Sequence, residues 1–141
     1  MAEPSLVSTV IAIGIIPVAF LFIHSFLSGM KGWRFHKVTG AVAIAWDLTM
    51  SSGYMIVRAL GLDVGGSSLE MKGAILAYFI IHGMMSVVVI MIEVSVLATG
   101  AYNWKGPKKT AWHGRLSRVL FVIWWFSFLS GEIFYLVNYV I

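Results

Sequence analysis

Seven ionisable side chains lie within or beside long apolar stretches of this chain, where a charge is costly. They are four histidines and three carboxylic acids: His24, His36, His82, His113, Asp47, Glu93 and Glu132. An ionisable group inside a membrane costs at least about 2.5 kcal/mol, so each of these is a functional candidate. Neutral imidazole binds haem iron, copper, zinc or non-haem iron, and carboxylates help to orient such ligands.

Helical spacing predicts which of these side chains share a face. Residues eleven apart nearly complete three helical turns and point the same way. Three inward-facing stripes result: His36, Asp47 and Arg58 with Gly40, Ser51 and Tyr54; His82, Ser86, Glu93 and Gly100; and His113, Trp124 and Gly131 with Ser127. Glu132 lies about a quarter turn off its stripe, at roughly 100° per residue.

The depth of each residue along its apolar stretch predicts two sites. We expect His36 and His113 to be ligands at one end, with His24 in reserve and Glu93 assisting. His82 marks a second polar site toward the other end. Four histidines among large aromatic residues suit a haem b with axial histidines; copper, or no cofactor, is the alternative. Each histidine could instead be an interfacial or hydrogen-bonded bundle residue.

The remaining polar residues predict a proton or polar relay through Asp47, Glu93 and Glu132. Other chemistry finds little support. The chain has no cysteine, which excludes disulfides and iron–sulfur clusters. It also lacks a phosphate-binding glycine loop, a hydrolase triad and an HExxH motif, so hydrolysis and nucleotide chemistry are not expected. Whether the protein is an enzyme stays open, with electron transfer as the candidate activity.

The elements that carry these residues are predicted to be membrane helices. Of the 141 residues, 60% are hydrophobic and 11% are charged, against about a quarter charged in soluble domains. A span needs roughly 20 apolar residues. The sequence predicts one all-α domain, an integral membrane four-helix bundle, with spans at about 6–28, 38–60, 71–102 and 113–141. Pro17 should kink the first span, and a polar turn at 113–118 should lead into the last.

The distribution of basic residues predicts the orientation of the bundle. Eight of the ten lie in or beside the first and third loops: Lys31, Arg34, Lys37, Lys105, Lys108, Lys109, Arg115 and Arg118. The positive-inside rule then places loops one and three in the cytoplasm and both termini outside. We expect a multi-pass protein of a prokaryotic plasma membrane, whose basic residues serve orientation and do not bind nucleic acid.

Spans two and four look like a repeat. His36 is followed by Trp46 and Ser52-Gly53, and His113 is followed by Trp124 and Ser130-Gly131. The spacing from tryptophan to glycine is the same in both spans, with one extra residue after the second histidine. Two duplicated helical hairpins would place His36 and His113 at the same depth on diagonal helices.

The last span also resembles a known family. The residues concerned are His113-Gly114-Arg115-Leu116-Ser117-Arg118, Ile123-Trp124, Ser130-Gly131 and Tyr135-Leu136, together with His36-Lys37 and Ile81-His82. They resemble the small four-helix membrane proteins classed as domain of unknown function 420, which include a cytochrome oxidase maturation protein. The resemblance covers about 32–136.

That resemblance implies a role in respiratory cofactor chemistry beside haem-copper oxidases, with His36, His82 and His113 as matching positions. The family usually has a further histidine near the end of span two, where this chain has Val57 or Arg58. A site at His82 would then be incomplete, or would use Asp47 or Glu132 instead. His24 is an addition to the family pattern.

Three functions follow as hypotheses. The leading one is a haem- or metal-binding protein of a respiratory system that transfers electrons like a b-type cytochrome, with a respiratory complex or terminal oxidase, and a quinone, as partners in the lipid bilayer. The second is an assembly factor that inserts cofactors into a haem-copper oxidase. The third is a structural accessory subunit of a larger membrane complex.

Overall fold

The computed structural model describes residues 3–62, 69–70, 72–105 and 110–141. Within these ranges the chain forms four α-helices: α1 (Leu6–Met30), α2 (Phe35–Ala59), α3 (Gly73–Lys105) and α4 (Trp112–Tyr139). Each is long and apolar enough to cross a membrane. The protein is therefore an all-α, multi-pass membrane protein, as the sequence predicts. At 1.5 Å per residue α3 is about 50 Å long, which exceeds the hydrocarbon thickness of about 30 Å.

The helix ends follow from local chemistry. The Ser5 side chain accepts a hydrogen bond of 3.0 Å from the backbone N–H of Ser8, which caps the start of α1. Gly32 and Gly61 follow α1 and α2 with φ of +68° and +67°, in the left-handed region that favours glycine. Pro17 lies inside an uninterrupted α1, which a lipid-buried helix tolerates.

The start of α4 differs from the prediction. Residues 113–118 are helical, because α4 begins at Trp112, so the expected polar turn is wrong. Asn103 ties the end of α3 to the residue before this helix: its Oδ1 accepts from the Thr110 N–H at 2.7 Å, and its Nδ2 donates to the Thr110 carbonyl at 3.2 Å. These bonds hold Thr110 against the end of α3, two residues before α4 begins. The basic residues Lys108 and Lys109 lie outside the described residues.

The helices pack as two hairpins. α1 packs most extensively on α2, and α3 packs most extensively on α4; the hairpins join through smaller contacts of α1 with α4 and of α2 with α3. This order places α2 and α4 on one diagonal of the bundle. The core consists of Ile15, Val18, Ala19, Phe22, Ala43, Ile44, Val89, Val96, Leu120 and Trp124. Many other large apolar side chains are exposed on the outside, as a surrounding lipid phase requires.

The repeat between α2 and α4 has a different register from the predicted one. Trp124 is 2% exposed, whereas Trp46, its predicted equivalent, is 41% exposed. The residue that lies eleven positions after His36, as Trp124 does after His113, is Asp47. Asp47 is 3% exposed and occupies the buried position. A carboxyl group in the first hairpin thus stands where the second hairpin has an indole.

Candidate cofactor site and buried carboxyl pair

His36 and His113 face each other inside the bundle. Their ring centroids lie 5.9 Å apart, with the ring planes inclined at 65°. His36 is in the first turn of α2 and His113 is in the first turn of α4, so the two diagonal helices bring them together at the end that carries the short connections. We call this end the basic end. The predicted pairing of these histidines at one depth is present in the structure.

The His36 ring is held by the helix before it. Its Nδ1 lies 2.9 Å from the backbone carbonyl oxygen of Ser25 and 3.3 Å from the Ser25 hydroxyl. The ring also packs against Gly29, where a Cβ would come within 2.6 Å of Nδ1. Since a carbonyl oxygen can only accept, Nδ1 carries the proton, and Nε2 is the nitrogen left for a ligand.

The His113 ring repeats this arrangement on the second hairpin. Its Nδ1 lies 3.2 Å from the carbonyl oxygen of Val96 and 3.3 Å from the Thr99 hydroxyl. A Cβ on Gly100 would lie 3.2 Å from its Cε1. Val96 precedes Gly100 by one helical turn, as Ser25 precedes Gly29. Both histidines therefore present the same tautomer, which is the form that a metal-binding imidazole with a backbone-bonded N–H takes.

The spacing of the two rings fits two ligands of one metal ion. Imidazole nitrogens bind metals at about 2.0–2.1 Å. Two rings on opposite sides of one ion would then have centroids roughly 6.4 Å apart, so the 5.9 Å between His36 and His113 is close to that spacing.

A cavity of about 500 Å³ surrounds this pair; we call it the histidine cavity. Small side chains leave the space open, and aromatic side chains and two cations bound it. Its lining includes Ser25, Gly29, Gly40, Gly100, Gly114 and Ser117, the aromatic residues Phe22, Phe26, Trp104 and Phe121, and the basic residues Lys37 and Arg118. Lys37 also lies over the Trp104 ring, with Nζ 4.8 Å from the centroid.

Two of the predicted contributors are not at this site. His24 is exposed, and its Nδ1 lies 3.4 Å from the Thr39 hydroxyl. Glu93 is buried deeper in the bundle and does not line the histidine cavity. Among the residues that the structure describes, no group of three or more histidine or carboxylate side chains could hold a metal ion. The site therefore offers two histidine ligands.

Glu93 instead lies beside Asp47 in the centre of the bundle. Asp47 Oδ2 accepts a hydrogen bond of 3.1 Å from the Trp124 indole N–H, and Oδ1 accepts one of 3.3 Å from the Ser51 hydroxyl. Glu93 is 0% exposed, and its carboxyl group is near enough to Asp47 for the two to interact electrostatically. No N–H or hydroxyl group of the described residues donates a hydrogen bond to either Glu93 oxygen.

The second predicted polar site is a separate cavity of about 380 Å³ at the other end of the bundle; we call it the far cavity. His82, Asp47 and Glu132 all line it. His82 Nδ1 lies 2.8 Å from the Ser130 hydroxyl, and its ring packs against Gly131. Of the predicted relay, the structure brings Asp47 and Glu93 together, while Glu132 is a half-buried wall residue with no hydrogen bond to either within the described chain.

Several residues of these sites were not predicted. They are the carbonyl groups of Ser25 and Val96, Gly29, the contact of Gly100 with His113, and the role of Trp124 as a hydrogen-bond donor. A signal for the glycines exists, because Ser28-Gly29 near the end of α1 recurs as Thr99-Gly100 near the end of α3. A search for repeats in spans one and three would have found it.

No family model matches the chain, and neither the curated proteins nor the solved structures gave a match. The resemblance to the four-helix family stays a prediction, and the function is argued from the two sites.

Proposed function

We propose that this protein is a membrane cytochrome of the b type, in which His36 and His113 are the axial ligands of one haem and single electrons pass within a respiratory system. The observation that carries the proposal is the facing pair of imidazoles, each with Nδ1 tied to a backbone carbonyl of the preceding helix. That bond orients the ring, fixes its tautomer and makes Nε2 a stronger ligand.

Haem is favoured over a bare metal ion by the number of ligands. Zinc and non-haem iron sites in proteins use three or four side-chain ligands, whereas His36 and His113 stand without a third such group among the described residues. Haem brings four nitrogens of its own and needs two axial ligands. Its one-electron chemistry comes from the cofactor, and the protein supplies binding, orientation and polarity.

The rest of the histidine cavity supports the same choice. Gly29 and Gly100 allow the two histidine rings to pack directly on the preceding helices. Phe22 and Phe121 line the cavity and would offer apolar faces to a macrocycle. Lys37 and Arg118 on the cavity wall are placed to pair with the two propionates, since cations form charge-assisted hydrogen bonds with carboxylates. By the positive-inside rule this end faces the cytoplasm.

Electron transfer is favoured over cofactor handling for a structural reason. Both rings are already held by backbone carbonyls, so little reorganisation is needed to bind haem, and preorganised sites bind tightly. A factor that hands its cofactor to another protein needs a site that releases it.

The test is a visible spectrum of the full chain, purified in mild detergent, in its oxidised and dithionite-reduced states. We expect a Soret band and sharp α and β bands on reduction. His36→Gln and His113→Gln should each abolish the bis-histidine spectrum. The matched controls His24→Gln and His82→Gln should leave it unchanged. A protein without haem, purified under conditions that preserve known cytochromes, would disprove the proposal.

A further inference from the structure

The buried carboxyl pair, Asp47 and Glu93, receives its hydrogen bonds unevenly. Both donors that reach the pair, the Trp124 indole N–H and the Ser51 hydroxyl, bond to Asp47. Glu93 is fully buried, and its two oxygens have no hydrogen bond from any residue that the structure describes. An ionised carboxylate without donors in an apolar interior carries a large desolvation penalty.

We propose that Asp47 and Glu93 form a proton-binding site in the core of the bundle, in which one proton resides on Glu93, faces the Asp47 carboxylate, and exchanges through the far cavity. Two carboxyl groups that share a site away from water do not both ionise. The hydrogen bonds from Trp124 and Ser51 stabilise the charge on Asp47, so the proton belongs on Glu93. This inference does not depend on whether haem is bound.

The position of the pair gives a route for the proton. Asp47 and Ser51 line the far cavity, whereas Glu93 lines neither cavity. The Glu93 O–H bond breaks as the proton passes to an Asp47 oxygen, and that O–H bond breaks in turn as the proton passes to solvent water in the far cavity. The reverse steps return a proton from that water to Glu93, so the pair regains its single proton and no electron moves.

A metal cation fits the pair less well than a proton does. Hard cations such as Ca²⁺ take six to eight oxygen ligands, and the pair supplies at most four, two of which already accept hydrogen bonds. Other charged or titratable groups line the far cavity with Asp47: Arg58, His82, Glu132 and the phenols Tyr54, Tyr78, Tyr135 and Tyr139. His36 and His113 line the histidine cavity. The one ionisable side chain of α1 is His24, which is exposed.

The test is infrared spectroscopy of the full chain in lipid nanodiscs at neutral pH, in H₂O and in D₂O. We expect a carbonyl band of a protonated carboxylic acid that shifts down in D₂O. Carboxyl-¹³C labelling of glutamate should shift this band, and the same labelling of aspartate should leave it in place. This measurement needs no substitution, so it stands even if a variant fails to fold.

Variants then assign the proton to one residue. Glu93→Gln should remove the band, because the remaining Asp47 keeps its donors and stays ionised. Asp47→Asn should retain a band at a shifted frequency, with slower deuterium exchange because the route to the far cavity is lost. Glu132→Gln is the matched control and should change nothing. Three results would overturn the proposal. The band could be absent from the wild type, it could be lost in Glu132→Gln, or it could disappear when Na⁺ replaces choline in the buffer, which would show that a cation displaces the proton.

Discussion

The indole of Trp124 on α4 donates its N–H to the carboxyl group of Asp47 on α2, over 3.1 Å and across the diagonal of the bundle. These two residues occupy equivalent positions, each eleven residues after the histidine in the first turn of its helix. Phe22 of α1 stacks on the Trp124 ring, with the two ring centroids 4.6 Å apart. The contact therefore joins the two hairpins between the histidine cavity and the far cavity.

Trp124→Phe should lower the free energy of unfolding by about 1 kcal/mol, because hydrogen bonds between membrane helices contribute on average about 0.6 and at most about 1.7 kcal/mol. Phenylalanine keeps the stacking on Phe22 and Phe128 but leaves Asp47 with one donor. Trp125→Phe is the matched control, since Trp125 has ring contacts and no side-chain hydrogen bond within the described chain. Reversible unfolding in SDS measures both. Equal losses would show that ring size, and not the hydrogen bond, matters.

Gly29→Ala should weaken or abolish haem binding without preventing folding. The added Cβ would lie 2.6 Å from Nδ1 of His36 and would push the ring off the Ser25 carbonyl. Gly100→Ala should have a smaller effect, because the corresponding contact with His113 is 3.2 Å. Gly53→Ala, in the same helix as His36 and with open space around it, is the control. The measurement is the haem-to-protein ratio of each purified variant. Equal ratios in Gly29→Ala, Gly100→Ala and the control Gly53→Ala would contradict the proposal that these glycines let the histidine rings reach their carbonyl acceptors.

Lys37→Gln and Arg118→Gln should each weaken haem binding by up to about 1 kcal/mol, which is the upper range for an exposed ion pair and about fivefold in Kd. The axial ligands would remain, so the shape of the spectrum should not change. Haem titration of the apoprotein at low and high salt measures the effect, which should shrink at high salt. Lys31→Gln, which lies outside the cavity lining, should bind haem like the wild type.

The orientation of the bundle can be tested with single cysteines, because the natural chain has none. In Glu3→Cys the thiol should react with a membrane-impermeant maleimide on intact cells. In Lys31→Cys the thiol should react only after the membrane is opened, since basic loops face the cytoplasm. The reverse pattern would place the histidine cavity on the outer side.

A deletion strain separates electron transfer from oxidase assembly. If the protein transfers electrons, its loss should reduce respiratory electron flow while the terminal oxidase keeps its haem and copper. Metal and haem analysis of the purified oxidase gives the answer. An oxidase that lacks a cofactor would instead support the assembly function. Complementation with His36→Gln tests whether the histidine pair is needed in either case.

The sequence predicts the helices well and the partners of the polar residues poorly. Apolar length determines a membrane span, so the four helices and the facing of His36 and His113 follow from pattern and spacing. The predicted repeat paired Trp46 with Trp124 because both are tryptophans. In the structure the buried residue equivalent to Trp124 is Asp47, which accepts a hydrogen bond from the Trp124 indole. Spacing along one helix also could not show that Glu93 meets Asp47, because that depends on how α2 packs on α3.

The backbone groups that bind the histidine side chains could not be predicted from the sequence either. The acceptors that orient the histidines are the carbonyl oxygens of Ser25 and Val96, and a sequence does not show which helix carbonyls also accept a hydrogen bond from a side chain of the next helix. His24 lies outside the histidine cavity for a simpler reason. Its depth suited the site, but its direction on α1 turns it to the exposed face.

The unlike residues in the centre of the bundle have a consequence for how such a protein can arise. Two copies of the first hairpin would set Asp47 against Asp47, with no indole to donate to either; two copies of the second would set Trp124 against Trp124, with no carboxylate to accept. Each half thus carries what the other lacks. If an ancestral gene duplicated, the copies have since become mutually dependent, and neither half can now form a symmetric dimer with the same core.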